Sequence, residues 1–277
     1  MKFIQVTFSG GLGNQLFQYA MARSLMTKND RLFFDIHNYI EDYLNRSFKL
    51  SNYRVKGTFL FNRLLKKIFI PKSKTNTLLA HFNMFSKIKE NSFLLHKNLA
   101  AHCRLFTALE GFWQSDTYFI SIRTQLLEEL KPFTVPTFPG FMRHSVTVAV
   151  HVRRTDYLQD ERYGFLGEDY YRNALHVMKQ KLNDLTIIFF SDDIPWCKQV
   201  FKDDNIFFCE APEWEKDYLQ LYLMSKCKHQ VIANSSFSWW GAWLNQNDDK
   251  IVIRPANPYM DESLYYENHY PPEWIAV

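Results

Sequence analysis

No Cys-x-x-Cys pair, no Gly-Lys-Ser/Thr and no Asp-x-Asp occurs anywhere in this chain. Each absence removes a class of chemistry. The four cysteines, Cys103, Cys197, Cys209 and Cys227, have neither zinc nor dithiol spacing. So few thiols in 277 residues, with no apolar leader, point to a reducing cytoplasm and not to a disulfide scaffold. Without Gly-Lys-Ser/Thr there is no P-loop. Without Asp-x-Asp there is no paired-carboxylate grip for a divalent ion on a diphosphate, so no metal and no cofactor are expected. No apolar run reaches spanning length, and the opening "MKFIQVTFSGG" is soon broken by glycine. Net charge is only +4, too little to argue for a nucleic-acid partner.

Aromatic residues are what the chain has in excess, at 17% with 25 Phe. Such rings serve cores first and carbohydrate stacking second. Length and a 47% hydrophobic content allow one large domain or two small ones. Residues 2–8 alternate as a strand; Gly10, Gly11 and Gly13 follow. "NQLFQYAMARSLMTK" reads as a helix with Leu16, Phe17, Ala20 and Leu25 near one face, and "RLFFD" (31–35) as the next strand. Between residues 40 and 110 the pattern blurs, and from 44 to 109 Glu90 is the only acid. There "FNRLLKKIFIPKSK" (61–74) reads first as a solvated basic helix face and second as a peripheral contact with an anionic membrane surface.

"KPFTVPTFPG" (131–140) reads as a linker. Beyond it, strands are predicted at 146–152, 186–190, 206–208, 230–233 and 250–253. Helices are predicted at 168–182, 195–201, 216–226 and 237–244. This alternation predicts an α/β fold with a parallel sheet covered on both faces. The architecture expected is two Rossmann-like halves, 1–140 and 141–277, with ligands beyond the carboxyl ends of the strands.

Three polar groups follow strands in the second half. Arg153 and Arg154 end "VAVHVRR", Ser191, Asp192 and Asp193 follow "TIIFF", and Asn234, Ser235, Ser236 and Phe237 follow "QVIA". Parallel strands would gather them at one rim. Paired guanidinium forks match phosphate oxygens. Ser and Asn cap helices whose free N–H groups attract anions. A diphosphate between the arginines and the helix start is the economical reading, with Asp192 or Asp193 accepting from a base edge or a ribose. Singly, each feature has a plainer reading. Arginines pair with surface acids, serines cap, and Trp239, Trp240 and Trp243 fill a core. In the first half the glycines lack the spacing of a dinucleotide fingerprint, since Leu16 stands where the third is needed. They read instead as a close-approach loop carrying Asn14 and Gln15.

"GGLGNQLFQYA", "HVRRTDY", "FFSDD" and "ANSSFSWWGAWLN" together resemble the motif set of glycosyltransferase family 11, the α-1,2-fucosyltransferases. The resemblance implies a GT-B fold, two Rossmann-like domains facing a cleft, with the first on the acceptor side and the second binding the GDP-sugar. It implies inverting transfer of L-fucose from GDP-β-L-fucose to the 2-hydroxyl of a terminal galactose in an oligosaccharide or surface glycan. It assigns the diphosphate to Arg153 and Arg154 and places His151 and Asp156 in the same motif. It turns the 235–237 loop to the nucleotide and Asn14, with Gly11 and Gly13, to the donor sugar. Thr155 departs from the glycine that many relatives carry. For the proton of the acceptor hydroxyl the residues offer Asp156, His151 and Glu168 without choosing. The rival readings are a GDP-fucose enzyme of other linkage, a non-catalytic carbohydrate-binding protein, and a NAD-linked enzyme. Paired arginines at a sheet rim disfavour the second, and the broken glycine fingerprint disfavours the third.

Overall fold

The computed structural model describes residues 1–40, 47–59, 67–69, 73–90, 98–135, 137–143, 146–159, 164–261 and 268–277. The chain divides into two compact units, Met1–Lys131 with Tyr266–His269, and Pro132–Tyr265 with Tyr270–Val277.

In the first unit β1 (Phe3–Thr7), α1 (Leu12–Ser24) and β2 (Arg31–Asp35) follow the predicted order. A short helix α2 (His37–Ile40) comes next. The patternless stretch supplies β3 (Thr58–Phe59), α3 (Lys74–His81), β4 (Phe85–Lys89), α4 (Leu99–His102) and β5 (Phe106–Glu110). A last helix, α5, spans Arg123–Glu129. The five strands are all parallel in the order β3-β2-β1-β5-β4. One sheet face stacks Phe3, Phe33, Phe69, Phe85 and Phe106. Most of the basic segment 61–74 lies outside the described residues; within it Phe69 is buried in this cluster.

The single apolar face expected of α1 is not what forms. Ten of its thirteen residues are buried, glutamines included. Gln15 donates to the Gly10 and Ser47 carbonyls at 3.2 and 3.0 Å, and Gln18 to Ser9 Oγ and the Gly111 carbonyl. Buried amides are tolerable when satisfied, and here they tie loops to the helix. The helix also starts at Leu12, so Gly13 lies inside it and Gly11 caps it; of the three loop glycines only Gly10 adopts a positive φ, +77°.

In the second unit β6 (Thr147–Val152), α6 (Glu168–Lys181), β7 (Thr186–Ser191), α7 (Ile194–Val200) and β8 (Ile206–Phe208) alternate as expected. They continue as α8 (Asp217–Lys226), β9 (His229–Val231), α9 (Ser236–Trp243) and β10 (Val252–Arg254). A strand not anticipated, β11 (Ile275–Ala276), closes the sheet. All six strands are parallel, in the order β11-β10-β9-β6-β7-β8. Val148, Val150 and Val152 meet Tyr171, Ala174, Leu175 and Met178 of α6 on one face. Ala149, Ile188 and Phe190 meet Leu223 and Met224 of α8 on the other. Trp239, Trp240 and Trp243 are buried and mutually stacked, so the core reading of these rings holds. β9 ends two residues early because Ile232 and Ala233 give their carbonyls to the Tyr170 and Ser238 hydroxyls instead of the ladder.

Candidate functional site

Counted from its first strand, the second sheet runs 3-2-1-4-5-6, with β8, β7 and β6 on one side of the reversal and β9, β10 and β11 on the other. The chain leaves β6 and β9 in opposite directions, which opens a crevice beyond their carboxyl ends. Arg153 and Arg154 follow β6, Asn234 and Ser235 follow β9, and Asp192 and Asp193 follow β7 beside them. The three sequence-distant groups therefore share one rim.

The two arginines are held differently. Arg153 is clasped by carboxylates: Nη2 donates to Asp156 Oδ2 at 2.7 Å and Nη1 lies 3.2 Å from Asp192 Oδ2. These partners raise its pKa against the burial that opposes its charge. Asp192 also accepts from the Arg154 amide at 2.9 Å and from the Thr155 hydroxyl at 2.6 Å. Thr155, which loop freedom alone would not explain, thus anchors the turn. Arg154 donates from Nε to Asp193 Oδ2 at 2.9 Å. Its guanidinium carbon lies 4.6 Å from the Phe165 ring and 4.2 Å from the Trp196 ring. Asp193 Oδ1 caps α7 by accepting from the Trp196 amide. Ser191 Oγ accepts from the Asp193 amide, fixing the same turn. Both aspartates that the sequence offered to a base or a ribose are thus engaged within the protein.

The opposite wall is the start of α9. Ser235 is its cap, accepting from the Phe237 amide at 3.3 Å, and Ser236 is its first residue. Asn234 is buried and points away from the rim's surface; its amide nitrogen donates to the Gly164 and Pro258 carbonyls at 3.0 and 2.7 Å. Tyr157 donates to the Asn234 carbonyl, joining the β6 and β9 loops.

His151 requires a correction. Its ring lies under the rim, 5% exposed, with its centroid 5.3 Å from that of Phe237. Burial first, and the Arg153 charge second, push its pKa down to about 3. So weak a base, so far from solvent, is a poor acceptor for a substrate proton; His151 is a neutral support for Phe237. Asp156 stays at the rim, its side chain 40% exposed and paired with Arg153. Glu168 sits in the first turn of α6 and pairs with Arg172.

The first unit has its own reversal, between β1 and β5. Asn14 follows β1 and Gln114 follows β5, and Gln114 Nε2 donates to Asn14 Oδ1 at 2.9 Å across it. A Cβ on Gly10 would meet Asn14 Nδ2 at 2.4 Å, so only glycine leaves this amide its place. The 111–114 loop is fixed by Glu90, whose carboxylate accepts from the Phe112 and Trp113 amides, and Trp113 is held at φ +58°. Sequence reasoning missed Phe165, Trp196, Glu90 and Gln114. Their partners lie from 11 to 100 residues away, and no local pattern marks them.

These two reversing parallel sheets are shared with solved structures. A mutant of Arabidopsis thaliana FUT1 in complex with GDP matches 95% of this chain and 72% of its own, at TM-score 0.50 and 12% identity. NodZ alpha-1,6-fucosyltransferase from Bradyrhizobium, soaked with GDP-fucose, matches 93% of this chain and 96% of its own, at TM-score 0.51 and 14% identity. That likeness is one of fold, the GT-B type. Sequence likeness is closer. An alpha-1,2-colitosyltransferase of Escherichia coli is 31% identical over 100% of this chain and 99% of its own. The O-antigen biosynthesis glycosyltransferase WbnK of Escherichia coli is 30% identical over 89% of this chain and 92% of its own. Galactoside alpha-(1,2)-fucosyltransferase 1 of Pan troglodytes is 25% identical over 97% and 73%. The model of glycosyl transferase family 11 matches residues 98–277, which hold the whole arginine rim. With that match and relatives aligned along its full length, the chain belongs to glycosyl transferase family 11 and is a glycosyltransferase.

Proposed function

We propose that the chain moves L-fucose from GDP-β-L-fucose to the 2-hydroxyl of a terminal galactose in an oligosaccharide or surface glycan. One observation carries this reading: the Arg153 loop and the Ser235-capped start of α9 meet at the reversal point of a 3-2-1-4-5-6 sheet. There two sources of positive potential face one crevice, which suits a diphosphate.

In the reaction the bond between the fucose C1 and the diphosphate oxygen breaks, and its electron pair stays on GDP. A new bond forms between C1 and the acceptor O2 from the opposite face, inverting the centre. The acceptor proton leaves to a carboxylate or to water. Charge gathers on the departing diphosphate, and fixed donors aimed at it lower the barrier. Arg153 is the residue we assign to that charge, because its guanidinium is held by carboxylates and is the more exposed of the two, with only the Tyr157 ring near it at 5.9 Å, whereas Arg154 is packed between two rings. In accepting the diphosphate it loosens its grip on Asp156, which frees that carboxylate to take the proton. Arg154, enclosed by Phe165, Trp196 and Asp193, shapes the loop. At the reversal of the first sheet, Gln114 orients Asn14 and leaves its amide nitrogen for a sugar hydroxyl.

A second reading concerns the donor alone. The full-length relative at 31% identity is named an alpha-1,2-colitosyltransferase, so the activated sugar can be colitose with the same α-1,2 linkage. The purified protein, offered GDP-fucose and the GDP derivative of colitose with a panel of galactose-terminated acceptors, distinguishes the two by product mass. Linkage follows by NMR. A product linked elsewhere than O2, or no product from either donor, sinks the proposal.

A further inference from the structure

The strongest feature that the transferase chemistry leaves unused is charge. Residues 44–109 hold 13 lysines and arginines against Glu90 alone, although the whole chain carries only +4. Part of this excess is neutralised by acids outside the segment. Lys87 and Lys89 pair with Glu110, and Lys56 pairs with Glu129. Around α3, among the described residues, it is not. Lys67 and Lys74 are exposed, and Arg104 donates to the Asn83 side chain and to the Ala101 and Cys103 carbonyls. Among the described residues no carboxylate pairs with any of the three.

The same helix exposes apolar surface. Lys74, Leu78, His81 and Phe82 recur at the spacing of one helical face. Leu78 is 57% exposed and Phe82 is 64% exposed. This face is held firmly from behind. Ser73 caps the helix, buried Asn76 donates to the Ile68 carbonyl at 2.7 Å, and the neighbouring Phe69 is locked into the sheet's aromatic cluster. Asn83, at φ +54°, ends the stripe and receives Arg104. A firmly held element therefore offers two large apolar side chains in a segment whose Lys67, Lys74 and Arg104 meet no carboxylate among the described residues.

We infer that this outer stripe of α3 docks the enzyme on an anionic lipid bilayer. Leu78 and Phe82 enter the headgroup boundary, and Lys67, Lys74 and Arg104 meet lipid phosphates. Apolar insertion combined with basic flanks is what an interfacial helix requires. No helix among the described residues is long and apolar enough to cross a membrane, so the contact is a surface one. A neutral surface would take the two side chains and leave the cations unrewarded, and an acidic protein would leave the apolar pair in water. The inference is independent of the donor and acceptor assigned above.

Co-sedimentation of the full chain with phosphatidylcholine vesicles, with and without about 30% phosphatidylglycerol, tests it. The anionic vesicles should retain at least about tenfold more protein, and about 0.5 M salt should remove most of that gain. Leu78→Glu/Phe82→Glu and, separately, Lys67→Glu/Lys74→Glu should each lower retention about tenfold. Both variants should keep the wild-type melting temperature and transfer to a soluble acceptor. Equal retention on neutral vesicles overturns the inference, as does wild-type retention by both variants. So does a self-association, seen by sedimentation velocity, that the Leu78/Phe82 variant abolishes while vesicles retain nothing. Loss of transfer to the soluble acceptor at an unchanged melting temperature would also overturn it, since the stripe would then serve the reaction itself.

Discussion

Arg153 and Arg154 carry equal charges into unequal surroundings, and their lysine variants should separate. Lysine at 153 keeps a positive charge but loses the fork that spans Asp156, Asp192 and an incoming phosphate. Arg153→Lys should cut kcat by about 100-fold or more, the range for losing an aimed donor, with an unchanged melting temperature. Lysine at 154 cannot stack between Phe165 and Trp196. Arg154→Lys should lose about 1–2 kcal/mol of stability and raise the donor KM more than it lowers kcat. Steady-state kinetics beside thermal melts reads both, and the opposite pattern would exchange the two roles. His151 gives a pH signature. A histidine with a lowered folded pKa takes a proton in the unfolded chain before the folded one. Its stabilising contribution is thus complete above about 6.5 and drains away as pH falls towards about 3. His151→Gln should flatten the loss of stability between pH 6.5 and 5 by about 1.4 kcal/mol per pH unit, measured by urea unfolding. Buried His229, whose pKa is also lowered, leaves a smaller slope of the same sign. An unaltered slope in His151→Gln would mean that the ring is charged when folded.

The short elements show what a single chain conceals. In the second unit the pattern is plain because β6 and β7 are buried, mostly apolar runs and α6 keeps its buried residues on one face. In the first unit β4 reads Phe-Ser-Lys-Ile-Lys, with lysines outward on an edge strand, and β3 is two residues long. Neither differs locally from a basic loop, and only pairing with β5 and β2 defines them. The rim residues were legible because each follows a strand end. Trp196 and Phe165 were not, since their contact with Arg154 is made across loops. At this scale α9 carries a prediction. Its cap, Ser235, holds the Phe237 amide and begins the wall opposite Arg153. Ser235→Ala should cost about 1 kcal/mol of stability. Because the helix start then frays where an anion would sit, GDP affinity should fall several-fold, as measured by calorimetry. Ser235→Asp, an equally good cap, should restore stability but not affinity, since its charge opposes the diphosphate. Restoration of both would remove the start of α9 from the nucleotide site.

For the whole molecule, charge is unevenly divided: residues 1–131 hold 19 Lys and Arg against 9 Asp and Glu, and residues 132–277 hold 14 against 20. The unit to which we assign the nucleotide is therefore the acidic one. On the proposed reading its attraction for GDP comes from a few oriented groups at the rim, with the general field opposed. Binding should accordingly be local, specific for a diphosphate, and supplied by arginine and helix N–H groups. The chain has no Asp-x-Asp, so the proposal gives the leaving-group charge to Arg153 and not to a divalent ion. The test is thermal melting with GDP, GMP and guanosine, each with and without EDTA. At about 100 times its dissociation constant GDP should add about 2.7 kcal/mol and raise the melting temperature by several degrees. GMP should give less and guanosine least, because the rim's donors act on phosphate. EDTA should leave every shift, and the rate of transfer, unaltered. A GDP shift that vanishes with EDTA and returns with magnesium or manganese would move the work of neutralising the leaving group from Arg153 to a divalent ion.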